Sequence, residues 1–408
     1  MNTNVLRNFS LLMTTLGASL GLAHSASAAT FADDVQFLKQ YTEVIELTDA
    51  SGQAKVALAP AYQGRIMTST AQGDGGLSYG WINRELIASR KLQPHINVFG
   101  GEDRFWMGPE GGQFSIFFAK GVPFDFEHWF TPACIDTEPF FLVKKSASAA
   151  TFAREFTLTN YSGTLFQVKV DRTVRLLAPA AAWRKIGLPA LPSLKMVAFE
   201  SDNKITNTGQ QPWTKATGLL SIWILGMFNP SPETTIVAPI VAGDDAVLGK
   251  KVTADYFGQV PPERLVVKDN VIFFKGDGQY RSKIGIGPKR SRGLLGSYDA
   301  AHKVLTLAYY TQPKGVTDYV NSLWKLQEDP FNGDVANSYN DGPVNGGKPL
   351  GPFYELESSS PAAALKPKGS LRHVHTTVHL SGPEQDLDLV ARATLGVTLR
   401  EITTALPK

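Results

Sequence analysis

The 408-residue chain carries 40 Lys and Arg against 37 Asp and Glu, and this balance gives no reason to expect nucleic acid or an acidic membrane surface as a partner. Its single cysteine, Cys134, excludes an intramolecular disulfide, a zinc ribbon and dithiol redox chemistry. Only 19% of residues are charged while 37 Gly and 25 Pro are present, a composition suited to short strands joined by tight turns.

Residues 1–28 read as a secretory signal peptide. Arg7 supplies a basic start, Leu11 to Ala23 a short apolar core, and Ala26-Ser27-Ala28 the small-x-small pattern that a signal peptidase needs. The core is too short for a membrane span, and no later segment reaches the roughly 18 apolar residues a membrane helix requires. The expected mature chain, residues 29–408, is therefore periplasmic or secreted and folds as a single domain.

Downstream, helical periodicity is scarce and period-two alternation is common. From Phe166 to Leu176, Phe166, Val168, Val170, Val174 and Leu176 point one way and the polar residues between them the other. Arg172 sits on the apolar face and therefore needs a partner. Phe152 to Leu158 is a second strand, and the intervening Thr159–Gly163 turn predicts a hairpin. Ala178 to Pro192 fits a loop or a short helix. Leu219 to Phe228 is apolar almost throughout, as in a strand covered on both faces. Val304 to Tyr310 and Leu371 to Leu380 are further strands, and Pro343 to Pro352 reads as a surface loop. Strands alternate with turns rather than long helices, so the fold class is all-β.

Four stretches are too polar and glycine-rich for ordinary strand surface. The first runs from Tyr62 to Met67 and on through Gly73 to Gly76. The second, His95 to Gln113, packs Glu102, Asp103, Arg104, Trp106 and Glu110 among five glycines. Glycine lets a ligand approach the backbone, and an aromatic ring offers a platform for a pyranose. The third comprises Trp324 and the run Gly333 to Gly342, where Asn340 and Asp341 suit sugar hydroxyls, calcium or simple Asx-turns. The fourth places Glu355 and Glu357 on one strand face and His373, His375 and His379 on another. Alternating histidines suit a hydrated sheet surface better than a metal site, since no carboxylate or Cys lies at local ligand spacing. No metal and no cofactor are expected. Cys134 reads as a buried apolar thiol.

The order of these segments resembles the galactose mutarotase-like superfamily, which includes the aldose 1-epimerases, and in particular exported bacterial members of unknown function. Tyr62 to Thr68 is similar to the early strand, Asn97 to Gly101 to the paired-glycine loop, and Ile205-Thr206-Asn207 with Leu219 to Phe228 to the central strand pair. Leu356-Glu357, Pro361, Leu365 to Gly369 and His375-Thr376-Thr377 resemble the closing strand pair. The resemblance implies a galactose mutarotase-like supersandwich with a carbohydrate ligand, and gives Glu357 the role of general base. Where epimerases place a general-acid His, this chain has Ser221, Ile222 and Trp223, and Phe99 replaces the loop His.

An epimerase-like, isomerase-type site is the first expectation, with Glu357 as base and Glu102 or His128 as the substitute acid. Trp106, Trp129 and Trp324 would stack on the sugar, Arg104 would orient it, and Asn340 and Asp341 would bind hydroxyls. Two readings stand beside it. A polysaccharide lyase would use Arg104, Asn340, Tyr339 and His128, and a non-catalytic glycan-binding protein would keep only the tryptophans.

Overall fold

The computed structural model describes residues 29–343 and 347–407. The signal peptide expected at 1–28 and part of the loop expected at Pro343 to Pro352 lie outside the described residues.

Alternating strands assemble into a ten-stranded antiparallel sheet. Its spatial order is Leu265–Val267, Val271–Lys275, Thr234–Pro239, Leu294–Asp299, Val304–Tyr310, Ser370–Ser381, Lys195–Asn207, Leu165–Leu176, Ala149–Thr159 and Phe141–Lys145. The predicted hairpin is present, with Thr159 paired to Leu165. The outer face of this sheet is covered by the helices Pro179–Ile186, Glu384–Leu395 and Leu399–Thr404, whose Trp183, Leu387, Val390 and Leu395 meet Val237, Phe273, Leu305 and Leu380. The stretch left open between loop and helix is thus helical at its start. Pro179 opens that helix and Gly187, at φ 82°, closes it.

A five-stranded antiparallel sheet lies across the inner face, in the order Ser282–Ile286, Ala336–Asn340, Tyr354–Ser359, Ser221–Phe228 and Arg104–Gly108. Phe105, Ile222 and Ile224 pack on Phe166, Val170 and Phe199, while Ile284, Ala336 and Leu356 pack on Ile236, Phe274 and Ala308. Burying each such large side chain stabilises the sandwich by about 1.5–3 kcal/mol. A three-stranded sheet of Ile45–Thr48, Lys55–Ala59 and Arg65–Thr70 adds Leu47, Val56 and Ile66 to the same core.

Two expected strand pairs are corrected by this arrangement. Tyr354–Ser359 and Ser370–Ser381 belong to different sheets, as do Lys195–Asn207 and Ser221–Phe228. Each pair faces across the sandwich rather than sharing hydrogen bonds. Amphipathic strands close in sequence satisfy their apolar faces either way, and the connection decides. After Ser359 the chain stays on the smaller sheet, with Ser360 N–H on Ile222 O and Ala363 N–H on Leu220 O, before crossing over.

A polar layer is enclosed between the sheets. Arg172 finds the partner it requires: Nη2 donates to Asp103 Oδ1 at 2.7 Å and Nη1 to Asn203 Oδ1 at 2.6 Å. His373, His375 and His379 do share a face, but it is the inner one and not a hydrated surface. Ser358 Oγ lies 2.8 Å from both His373 Nε2 and His375 Nδ1, which replaces the water an exposed ring would use. Burial lowers the pKa of His373 to about 3 and that of His375 to about 4.

Candidate functional site

Because side chains alternate along a strand, the five-stranded sheet has a second face, turned away from the larger sheet. Register places Glu357 opposite Leu225, and Leu225 opposite Arg104. Trp223 pairs with Trp106 on the same face, and Lys283, Asn337, Tyr339 and Glu355 complete it from the neighbouring strands. This face is not solvated. Arg104, Glu355 and Glu357 are 2%, 5% and 0% exposed, respectively.

The two glutamates have different environments. Glu357 Oε2 accepts from Trp223 Nε1 and from Lys283 Nζ, each at 2.9 Å. Glu355 has no such donor; Arg104 Nη2 is its nearest cation, 3.6 Å from Oε1. Burial, and after it the neighbouring charge of Glu357, push the Glu355 carboxyl up to about 8. Two carboxyl groups two residues apart thus have different surroundings, one ion-paired and hydrogen-bonded, the other raised by burial.

Aromatic and polar groups frame the pair. The Arg104 guanidinium lies 4.1 Å from the centre of the Trp106 ring, and Lys283 Nζ lies 4.8 Å from that of Trp223. Tyr256 reaches over the face, its hydroxyl donating to Asp334 while accepting from Asn337 Nδ2 at 3.1 Å. Burial pushes the Asp334 carboxyl up to about 6. Trp324 donates to Glu110 Oε1 at 3.2 Å, and its ring stacks at 5.6 Å on Trp129, which lies 6.5 Å from Trp106. Two surface cavities of about 560 and 450 Å³ lie elsewhere, and neither is lined by Glu355 or Glu357.

One family model, the Family of unknown function (DUF6786), matches residues 29–406. The chain belongs to that family. No curated protein matches it. Among solved structures, a protein of Synechocystis sp. PCC 6803 is 13% identical over 84% of this chain and 96% of its own, with a TM-score of 0.48. A proposed aldose 1-epimerase from Escherichia coli K12 is 12% identical over 84% and 99%, with a TM-score of 0.48. A galactose mutarotase-like protein from Lactobacillus casei ATCC 334 is 11% identical over 83% and 100%, with a TM-score of 0.47. Such likeness concerns the fold alone. The large antiparallel sheets bear out the all-β class expected from the sequence.

In this member of the family, Arg104 and Trp106 share the face of Glu357, with Trp129 and Trp324 at its edge. Four other candidates lie apart from it. Glu102 turns between the sheets, where Oε2 meets Ser69 Oγ at 3.0 Å and His379 Nε2 at 2.7 Å. His128 is on the surface, its Nδ1 2.6 Å from Asp125 Oδ1. Neither is placed to serve as the acid beside Glu357. Asn340 is on the opposite face from Tyr339, with Oδ1 accepting from Gly278 N–H at 2.8 Å and Nδ2 donating to Tyr280 O at 2.9 Å. Asp341 spends both oxygens on Tyr339 OH and Gly351 N–H, at 2.6 and 2.8 Å. These are loop anchors. Of the lyase candidates, Arg104 and Tyr339 share the face of Glu357, while His128 and Asn340 lie apart from it. Cys134 is buried as expected.

Lys283, Trp223, Tyr256 and Asn337 are functional candidates that sequence reasoning did not select. Lys283 alternates with inward Ser282 and Ile284, so it carries the signature of an ordinary solvated lysine. Trp223 did have a signal: a tryptophan in an apolar strand needs a partner for its N–H.

Proposed function

We propose that this is an exported carbohydrate-active protein in which Glu355 and Glu357 act as acid and base on a bound sugar. The observation that carries the reading is the divided environment of the two carboxyl groups on one strand, beside Arg104 and Trp106. Glu357 takes the proton of the anomeric hydroxyl, and Glu355 delivers its proton to the ring oxygen. The bond from the anomeric carbon to that oxygen breaks, and the open-chain carbonyl recloses on either face. Glu355 thereby fills the acid role for which the chain has no histidine. Export rests on the leader at 1–28, and N-terminal sequencing of secreted protein should begin near Ala29.

The test is anomer exchange followed by polarimetry or NMR across a panel of sugars. Since a positioned acid or base is worth roughly 10²–10⁴ in rate, Glu357→Gln and Glu355→Gln should each slow turnover at least 100-fold while sugar still binds. Normal turnover in either variant would end the catalytic reading. Binding without exchange in the wild-type protein would favour a glycan-binding protein instead.

A further inference from the structure

Among the described residues, buried polar atoms without a hydrogen-bond partner gather on this face. The unpartnered donors include Arg104 Nε and Nη1, Trp106 Nε1, Arg281 Nε, the Ser221 hydroxyl and, at the edge, Trp129 Nε1. The unpartnered acceptors are Glu355 Oε1 and Glu357 Oε1. Leaving a buried polar group unpaired is costly, most of all for a charged one, so such atoms in one place mark where a ligand supplies the missing bonds. The set is weighted toward N–H donors, and a group that only accepts fits it best.

Charge points the same way. Arg104 is a permanently charged guanidinium, 2% exposed, and its nearest carboxyl is Glu355 at 3.6 Å. That separation is longer than a hydrogen bond, so Glu355 leaves the Arg104 donors open, and burial favours the neutral form of Glu355. Glu357 does not fill them, because Lys283 already occupies it at 2.9 Å. Of the other ionisable groups here, Asp334 is bonded by Tyr256 and Glu110 by Trp324, while the Arg281 guanidinium lies 3.8 Å from the Phe257 ring with its Nε unpartnered.

We propose that the sugar recognised at this site carries a carboxylate, a uronic acid, seated against Arg104 and the indole N–H of Trp106. The inference rests on the sugar-binding reading above and names its substrate class. A single carboxylate supplies acceptors for the open Arg104 Nε and Nη1 and for Trp106 Nε1. A phosphate ester would bring close to two charges and a third oxygen beside the ion-paired carboxylate of Glu357.

Isothermal titration of the mature protein compares galacturonate and glucuronate with galactose and glucose, and with the two sugar 6-phosphates. The expected result is uronate binding at least tenfold tighter than either comparison set. Arg104→Gln should bring uronate and neutral sugar to equal affinity. If that variant does not fold, Arg104→Lys decides: it keeps the charge and should retain the uronate preference with weaker binding. Neutral sugars binding as tightly as uronates, or phosphates binding more tightly, would overturn the proposal and leave sugar binding standing. A uronate preference that survives in Arg104→Gln, or is lost in Arg104→Lys, would overturn the role of Arg104. No binding by any sugar would remove the carbohydrate reading itself.

Discussion

Replacing Glu357 with Gln keeps the shape of the side chain and removes its charge, so the response of Glu355 can be worked out. Two residues along a strand separate the pair by roughly 7 Å, and at an effective dielectric constant of about 20 the repulsion is about 2.4 kcal/mol, or about 1.7 on the pH scale. Burial is the larger cause of the raised Glu355 value, and it remains in the variant. The Glu355 midpoint should therefore fall by that amount yet stay above the ordinary carboxylate range. The assay is a pH titration by ¹³C NMR of glutamate side-chain carboxyls, assigned with Glu355→Gln. The sign also reads out in stability. A carboxyl whose folded value is raised binds its proton more tightly in the folded state, so stability is greatest below the unfolded value, near 4.5, and declines as pH rises toward 8. That decline is on the order of a few kcal/mol and should be absent in Glu355→Gln. A Glu355 that titrates as an ordinary carboxylate in the wild type, or is unmoved by Glu357→Gln, would refute the division of roles.

Asp103→Asn leaves the buried Arg172 without its carboxylate and should cost about 3–5 kcal/mol in urea unfolding; a loss below about 1 kcal/mol would show that Asn203 and the Gly64 carbonyl suffice. His373 and His375 have folded values depressed by burial, so the unfolded chain binds more protons below its own value of about 6.5. Stability should fall as pH drops through that value, and His375→Phe should flatten the slope in denaturant titrations. Burial pushes the Cys134 thiol up to about 12, so a disulfide reagent at pH 8 should find no native thiol and one after unfolding. Rapid native labelling would contradict the packing.

What could be read from the sequence depended on whether the deciding partner lay nearby in the chain. Phe166 to Leu176 announced both its face and the demand of Arg172, because alternation is a property of the strand itself. Leu219 to Phe228 declared itself covered on both sides for the same reason. The sharing of a face by Glu355 and Glu357 was equally local, yet the choice between them was not. It turns on Lys283, more than seventy residues upstream, and on the N–H of Trp223, which cross-strand register brings to one carboxyl and not the other. Glu102 shows the opposite failure. By parity it belongs with Arg104 and Trp106, but the regular strand begins only at Arg104, and Glu102, outside it, turns its carboxylate to Ser69 and His379. Alternation holds only inside a regular strand, so a residue two positions before Arg104 became a buried partner of His379, whereas Glu355 and Glu357, both inside one strand, kept their shared face.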